Sequence, residues 1–244
     1  MIDTHAHFGD DAEEVLARAR DAGVSRVIAV ATTVDEARRV LDLAERHEGV
    51  YAALGVHPHE AASAGAERVG ELAPLLEHPR AVAVGETGLD YFRDYAPHEA
   101  QQQLFDRELQ LAHDAAKPVV IHTRAADEDT RARLVAFDGR VILHCFSSPA
   151  LLEPALEHGW WVSFAGNVTY KNAYDLRDAA RRVPANRLLA ETDSPYLAPQ
   201  AVRGKRNEPA YVMHTLAALA ELRGVEPAAL AAQIDQNADE VFGL

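Results

Sequence analysis

The chain opens with Met1-Ile2-Asp3-Thr4-His5-Ala6-His7, and this stretch decides between the two fold classes that the remaining sequence allows. We interpret Met1–His7 as the first β-strand. In an open, doubly wound α/β sheet, the turn after the first strand is normally rich in glycine and cradles phosphate. This sequence has histidines there instead, and the pattern therefore favours a closed barrel.

The rest of the chain alternates short apolar segments with helical ones. The later strand candidates are rich in β-branched residues and almost continuously apolar, as expected for parallel strands buried on both faces. They cover Val24–Ala31, Val50–Val56, Ala81–Gly85, Pro118–Thr123, Val141–Phe146, Trp160–Phe164 and Arg187–Thr192. Eight strand–helix units in 244 residues predict an α/β fold, a single-domain (β/α)8 TIM barrel over residues 1–244.

Helical segments separate the predicted strands. Thr33 and Glu36 have the spacing of a capping box, in which each side chain bonds the backbone N–H of the other residue at a helix start. Apolar residues then recur at helical spacing, and Gly49 marks the expected stop. Two further helices are predicted over Gln101–Ala116 and Arg177–Val183.

Composition and charge exclude several classes of protein. No apolar run reaches the ~18–20 residues that a membrane helix needs, and the first residues lack the basic start of a secretory signal. The single cysteine, Cys145, excludes an intramolecular disulfide framework and a four-cysteine zinc site. A net charge of −14 argues against a general nucleic-acid coat, which needs a basic surface. We therefore expect a cytoplasmic protein with no membrane contact and no stable protein partner.

Histidine and acidic residues recur where the predicted strands end, which is the end of a barrel that carries function. His5 and His7 are two positions apart on one strand, so their side chains point to the same face. Taken alone, this pair is equally compatible with buried polar packing and with metal binding. Four further strands add residues at equivalent depth, which favours metal binding. The candidate ligands are His5, His7, Glu86, His122, His144 and Asp193.

Six ligands exceed the four that one zinc ion takes, and they suit two divalent ions about 3.5–4 Å apart that share a carboxylate. Glu86 is the expected bridge, because it comes from the middle of the strand order. The remaining ligands are expected to divide into His5, His7 and Asp193 for one ion, and His122 and His144 for the other. Zinc, manganese and magnesium are all candidates, and the imidazoles favour a transition metal over magnesium.

The chemistry expected of such a site is hydrolysis. A divalent ion lowers the pKa of its water, so that the nucleophile forms near neutral pH. Asp193 is placed to take a proton from that water and to pass it to the leaving group, while Glu86 holds the ions. Both carboxylates are therefore predicted to be catalytic.

A second set of residues near the same strand ends is predicted to contact substrate. Several members also have a plainer interpretation: loop structure for His57, an ion pair with the next helix for Arg124, and closure of the barrel mouth for Tyr91. The basic stretch Arg203-Gly204-Lys205-Arg206 follows the last strand, where barrels often bind phosphate. The predicted contacts are His57, Tyr91, Arg124, Arg203, Lys205 and Arg206.

Several longer motifs, taken in order, resemble those of the TatD family of metal-dependent hydrolases. They span nearly the whole chain: Asp3-Thr4-His5-Ala6-His7, Gly55-Val56-His57-Pro58-His59, Val84-Gly85-Glu86-Thr87-Gly88-Leu89-Asp90-Tyr91, His122-Thr123-Arg124, His144-Cys145-Phe146-Ser147, Gly166-Asn167-Val168-Thr169-Tyr170, Glu191-Thr192-Asp193-Ser194-Pro195-Tyr196-Leu197 and Arg203-Gly204-Lys205-Arg206-Asn207-Glu208-Pro209. All the candidate ligands match the metal positions of the family. Ala125 and Ser148 depart from its usual pattern, and neither is a candidate ligand.

The resemblance implies a barrel that holds divalent metals and hydrolyses phosphodiester bonds in DNA, often as a 3′→5′ exonuclease. The expected partner is the 3′ end of a nucleic-acid strand or another phosphate-bearing substrate. The same site would also suit an aminoacyl ester of tRNA, a small amide or a lactone. A metal-binding scaffold without catalysis is the remaining alternative, and the presence of Asp193 beside a complete ligand set argues against it.

Overall fold

The computed structural model describes all 244 residues, and its eight strands form one parallel sheet in sequence order. The strands are β1 Ile2–Ala6, β2 Arg26–Val30, β3 Val50–Leu54, β4 Ala81–Asp90, β5 Val119–Arg124, β6 Val141–Leu143, β7 Trp161–Phe164 and β8 Leu188–Ala190. Beyond β8, Ser194 pairs with Ala6, and its carbonyl accepts a hydrogen bond from the N–H of His7 at 2.7 Å. The sheet therefore closes on itself, and the predicted (β/α)8 barrel is confirmed.

Helices cover the outside of the barrel. They are α1 Ala12–Asp21, α2 Val34–Arg46, α3 Ala64–Glu67, α4 Ala73–Leu76, α5 His98–Asp114, α6 Asp127–Ala136, α7 Leu152–His158, α8 Tyr174–Arg182, α9 Val212–Arg223 and α10 Pro227–Phe242. Their apolar faces and the strands share one continuous cluster of 69 buried hydrophobic residues, so the chain has a single core. No helix combines the length and the apolar character that crossing a membrane requires.

The start of α2 follows the predicted capping pattern only in part. The hydroxyl of Thr33 accepts a hydrogen bond from the N–H of Glu36 at 3.1 Å, as a capping box requires. The Glu36 carboxylate, however, accepts from the N–H and the hydroxyl of Thr32, at 2.8 and 2.7 Å. The Glu36 carboxylate thus bonds Thr32 and not Thr33, the residue that a capping box predicts. These bonds hold the chain segment that follows β2.

Strand β4 differs most from the prediction, because it was expected to end at Gly85 and continues to Asp90. Its last residues pair with β5 after a shift in register that lies between Val84 and Thr87. Glu86 therefore lies in a bulge inside a strand, not in the loop that follows. A bulge re-aims the side chain it contains, and here it directs Glu86 into the barrel mouth.

The β4 bulge depends on glycine. Gly88 has φ +133°, a conformation that L side chains rarely adopt. A Cβ atom built at Gly88 would lie 2.0 Å from the carbonyl oxygen of His122, closer than any real contact. A side chain at this position would push β4 and β5 apart next to Glu86.

A buried carboxylate stabilises the seam between β1 and the chain that follows β8. Asp3 accepts hydrogen bonds from the N–H of Thr192 at 2.9 Å and from its hydroxyl at 2.5 Å. Burial raises the pKa of Asp3 to about 8, and these hydrogen bonds oppose that rise. Beside the seam, the N–H of Asp193 donates to the carbonyl of His5 at 3.0 Å, so the closure holds these two residues in register.

A second buried acid, Glu108, comes from α5 and connects the chain that follows β3 to the end of the β4 bulge. One of its oxygens accepts from the N–H of Val56 at 2.7 Å, and the other accepts from the hydroxyl of Thr87 at 2.5 Å. Burial raises the pKa of Glu108 to about 8, although both hydrogen bonds oppose the rise. Folding therefore favours the protonated acid, which can donate as well as accept.

We expect Glu108→Gln to stabilise the chain, by an amount that grows between about pH 4.3 and pH 8. In that range the unfolded acid releases its proton while the folded acid keeps it, so the stability of the native chain falls as pH rises. Glutamine keeps the acceptor for Val56 and does not ionise. Thermal unfolding at pH 5, 6.5 and 8 measures the difference, with the exposed Glu221→Gln as control. A Tm difference that is the same at all three pH values would contradict the prediction.

Candidate metal centre

Glu86 lies at the centre of a polar cluster at the C-terminal ends of the strands. The structure brings all six predicted ligands into this cluster. One carboxylate oxygen, Oε2, lies 3.4 Å from Nε2 of His5 and 3.5 Å from Nε2 of His7. These two imidazole nitrogens are 3.3 Å apart, so both histidines from the end of β1 face the same oxygen.

The other oxygen of Glu86, Oε1, faces a different group of histidines. It lies 2.8 Å from Nε2 of His144, 2.9 Å from Nδ1 of His122 and 3.4 Å from Nε2 of His57. The two oxygens of one carboxylate thus serve two separate sets of donors. The arrangement is compatible with the expected role of Glu86 as a carboxylate shared by two cations, which stays a prediction.

Asp193 joins the first of these groups. Its Oδ1 lies 3.7 Å from Nε2 of His7 and 4.0 Å from Nε2 of His5. The backbone of Asp193 is left-handed, with φ +54°, and its side chain is 13% exposed. Asp193 is therefore the carboxylate of the cluster that remains open to the barrel mouth, since only 4% of the Glu86 side chain is exposed.

The charges in the cluster are strongly interdependent. Burial raises the pKa of Glu86, but the imidazoles of His144 and His57 outweigh burial and hold the pKa well below its usual value. Burial and the neighbouring His144 together lower the pKa of His5 to about 4. Burial also raises the pKa of Asp193 to about 7, against the opposing effect of His144 and His7. An anionic Glu86 thus lies beside a His5 that is neutral at neutral pH.

The donor set fits divalent cations. Only imidazoles pair with the carboxylates of Glu86 and Asp193, and no lysine or arginine forms a salt bridge with either. The buried Nδ1 of His5 has no hydrogen-bond partner, so no neighbouring side chain or carbonyl fixes the tautomer of this imidazole. Neutral imidazole nitrogens and carboxylate oxygens are the ligands that zinc and related transition metals prefer.

Asp90 supports the cluster from behind, although the sequence interpretation gave it no role. Its Oδ2 lies 3.1 Å from Nε2 of His122 and 2.9 Å from Nε2 of His59. Its Oδ1 accepts the N–H groups of Phe92 and Arg93 at 3.0 and 2.9 Å, so the loop that follows β4 holds the carboxylate in place. Strand periodicity could have found it, since Asp90 is four positions after Glu86 and such residues share a face.

Glu191 supports the other side of the cluster in the same way. Its Oε1 lies 3.1 Å from Nδ1 of His144 and accepts the N–H of Cys145 at 2.7 Å. His144 thus has one ring nitrogen facing Glu86 and the other facing Glu191. His122 is held in the same way between Glu86 and Asp90. Carboxylates in this position orient metal-binding imidazoles and raise their basicity.

We expect Asp90→Asn to weaken divalent-metal affinity by about 10–100-fold without unfolding the chain. Asparagine can still accept from the backbone N–H groups, but its amide would present a donor where a carboxylate oxygen now faces Nε2 of His122. Competition with a chelating dye measures the affinity. Asp94→Asn, an exposed position in the loop that follows Asp90, is the control. Equal affinities of the Asp90 variant and the native chain would remove this role from Asp90.

The predicted substrate residues do not form one group. His57, predicted to contact substrate, lies inside the polar cluster, where it groups with Glu86 and His122 as a further candidate ligand. The hydroxyl of Tyr91 donates to Asp129 at 2.7 Å, and its ring stacks on His98 with centroids 3.7 Å apart. The guanidinium of Arg124 lies 3.9 Å from the centroid of the Phe92 ring and forms no ion pair with α6.

The predicted basic cluster after β8 spreads in different directions. Arg203 stacks on the ring of Tyr170, 4.2 Å from its centroid. Arg206 forms an ion pair with Asp11, in the loop after β1. Lys205 is exposed and has no salt-bridge partner. The three side chains therefore do not converge on one phosphate position in this structure.

Known proteins are similar to this chain over nearly its whole length. The chain is 35% identical over 251 residues to the metal-dependent hydrolase YabD of Bacillus subtilis, covering 99% of this chain and 98% of YabD. It is 36% identical to the 3′-5′ ssDNA/RNA exonuclease TatD of Enterobacter lignolyticus, covering 99% and 96% of the two chains. The crystal structure of YJJV, a TatD homologue from Escherichia coli K12, superposes with a TM-score of 0.92 at 35% identity, covering 100% and 98%.

The family profile described as TatD related DNase matches residues 2–243, almost the full length of the chain. The relatives above match over nearly their whole lengths as well, so the correspondence includes every strand end that contributes to the cluster. The chain therefore belongs to the TatD family of metal-dependent hydrolases.

Proposed function

We propose that the chain hydrolyses phosphodiester bonds at the 3′ end of a nucleic-acid strand, with two divalent ions held by the six clustered ligands. The observation that carries the proposal is the orientation of Glu86, whose two oxygens face two separate sets of imidazoles. Divalent ions bound there would polarise a phosphoryl oxygen and activate water near neutral pH. His5, His7 and Asp193 would hold one ion, and His122 and His144 would hold the other.

Asp193 is assigned the proton transfer in this reaction. It is the carboxylate of the cluster with access to the barrel mouth, where a substrate enters. Its Oδ1 would accept a proton from the attacking water and return one to the leaving oxygen of the strand. Glu86 is enclosed by imidazoles, and its role would be to hold the metal ions in position.

A phosphate-bearing substrate is supported by the cations around the mouth. Arg124, Arg203 and Lys205 are exposed there and form no salt bridge, although the chain as a whole carries a net charge of −14. His57 lies at the inner end of the mouth, 3.4 Å from Glu86. The relative from Enterobacter lignolyticus is named for exonuclease activity on single-stranded DNA and RNA, which agrees with this assignment.

Reconstitution and turnover together test the proposal. Chelated protein is loaded with zinc, manganese or magnesium, and elemental analysis is expected to approach two ions per chain. The loaded protein is then offered 5′-labelled single-stranded DNA, the same DNA with a blocked 3′ end, and misacylated tRNA. A ladder that shortens from an open 3′ end and stalls at a blocked one supports the proposal.

Other outcomes of the same experiment favour the alternative functions. Turnover of the aminoacyl ester alone would replace the nuclease assignment with an esterase that uses the same site. Two bound ions without turnover of any substrate would indicate a metal-binding scaffold. A folded protein that binds no ion under any loading condition would refute the metal centre itself.

A further inference from the structure

The aromatic side chains that the fold leaves in water lie at the barrel mouth. Large apolar side chains exposed on the surface include four aromatic rings: Phe92 at 61%, Tyr95 at 65%, Tyr174 at 72% and Tyr196 at 61%. All four lie on segments that follow the C-terminal ends of strands. The other two exposed residues of this class, Val135 and Val225, are aliphatic and lie on or between outer helices.

These rings form two groups on opposite sides of the mouth. Phe92 and Tyr95 follow β4, and we call them the β4 flank. Tyr174 follows β7 and Tyr196 follows β8, and we call them the β8 flank. Since β4 and β8 are four strands apart in a closed eight-stranded sheet, the two flanks face each other across the barrel end.

The proposed metal centre lies between the flanks. The ring of Tyr95 lies edge-on to His59, with centroids 4.8 Å apart, and His59 contacts Asp90. On the other side, the ring of Tyr196 lies edge-on to His7, with centroids 6.2 Å apart. A strand bound across the mouth would therefore meet an aromatic ring on each side of the reacting bond.

Each flank also carries an arginine stacked on an aromatic face. Arg124 covers Phe92 on the β4 flank, and Arg203 covers Tyr170 beside the β8 flank, at 3.9 and 4.2 Å from the ring centroids. Both guanidinium groups are exposed and form no salt bridge. Stacking holds a guanidinium in place while leaving its N–H groups free for phosphate.

We propose that the exposed rings of the two flanks, Phe92 on one side and Tyr196 on the other, each stack a base of the bound strand next to the metal centre. This inference rests on the proposed function. Aromatic rings next to basic groups are how proteins hold single strands without reading their sequence, since every base has a π-face. A duplex buries those faces within its own stack and offers only its backbone to the same surface.

The test measures binding without turnover, on chelated protein. Fluorescence anisotropy is recorded for a labelled oligothymidylate and for an oligonucleotide of equal length whose last positions are abasic. Phe92→Leu and Tyr196→Leu should each weaken binding of the oligothymidylate roughly tenfold, which is the scale of one lost base–aromatic stack. Binding of the abasic strand should change little, because it has no base to stack at those positions.

Tyr51→Leu is the matched control. Tyr51 is half-buried at the start of β3, at the opposite end of the barrel, and carries Arg80 stacked over its ring at 5.1 Å. This variant removes the same kind of arginine–aromatic stack away from the mouth, and it should bind both probes like the native chain. The inference is overturned if the mouth variants bind the oligothymidylate like the native chain, or if they lose affinity for both probes equally.

The proposed function is tested separately, by hydrolysis of bis(p-nitrophenyl) phosphate by the native metal-loaded chain. This small diester needs no strand contact. If the metal-loaded chain hydrolyses neither this diester nor the oligonucleotides, the proposed function is contradicted. The anisotropy result would still decide the stacking inference. Hydrolysis of the diester with no base-dependent binding would leave the function standing and refute the inference.

Discussion

Asp193→Asn is expected to reduce kcat on a 3′-ended oligonucleotide by about 10²–10⁴-fold, the usual contribution of general acid–base catalysis. Asparagine has the shape of aspartate but cannot accept a proton from the attacking water. The fold should survive, because residue 193 has φ +54° and asparagine is one of the few residues that adopt this conformation readily. Metal binding should weaken as well, since Oδ1 faces His5 and His7.

Single-turnover kinetics and elemental analysis of the same preparation separate these two effects. Asp10→Asn, an exposed position in the loop after β1, controls for loss of negative charge near the mouth. A variant at position 193 with full metal content and near-native kcat would exclude Asp193 from proton transfer. A variant with low metal content that recovers its activity at high metal concentration would make Asp193 a ligand only.

Glu86→Gln is expected to abolish binding of both ions and to lower the activity by about a thousandfold or more. The two carboxylate oxygens of Glu86 face separate sets of imidazoles, so one substitution affects both cation positions. A neutral amide offers one weaker donor oxygen and places an N–H₂ group against the other set. Lewis-acid stabilisation of several kcal/mol would be lost, and each 1.36 kcal/mol is a factor of ten in rate.

Glu108→Gln is the matched control for this change. Both glutamates are buried, and Glu108 hydrogen-bonds Thr87 next to Glu86, but its partners are Val56 and Thr87 and it pairs with no histidine. Elemental analysis should give close to two ions per chain for the control and close to none for the variant at Glu86. Loss of only one ion at Glu86 would mean that the two cation positions are independent and that the carboxylate does not bridge them.

The fold and the convergence of the six candidate ligands could both be predicted from the sequence. The barrel follows from the alternation of apolar strands and helices, which is a local pattern. The convergence follows from the barrel, since parallel strands bring all their C-terminal ends to one side. His5 and His7 alone could equally be buried polar residues. They are predicted to be metal ligands only because other strand ends carry histidine and acidic residues at equivalent depth.

The parts that escaped prediction depend on contacts between elements. The length of β4 and its register shift are set by its pairing with β5, so the bulge that contains Glu86 could not be predicted from the local sequence. The basic stretch after β8 looked continuous in sequence, but irregular backbone points neighbouring side chains apart. Arg203 stacks on Tyr170, and Arg206 forms an ion pair with Asp11. Both partners are distant in sequence, so no local pattern predicts them.

The seam between β1 and the end of β8 has a consequence for biosynthesis. Asp3 and Thr192 are 189 positions apart, and the residues proposed to hold the first ion are divided between the same two regions. A nascent chain on the ribosome carries His5 and His7 long before Asp193 has been made, and contacts between such distant segments form late in folding. On the growing chain these histidines would lack Asp193, and the seam that holds them in place could not yet close, so we expect loading of the first cation to follow release of the finished polypeptide.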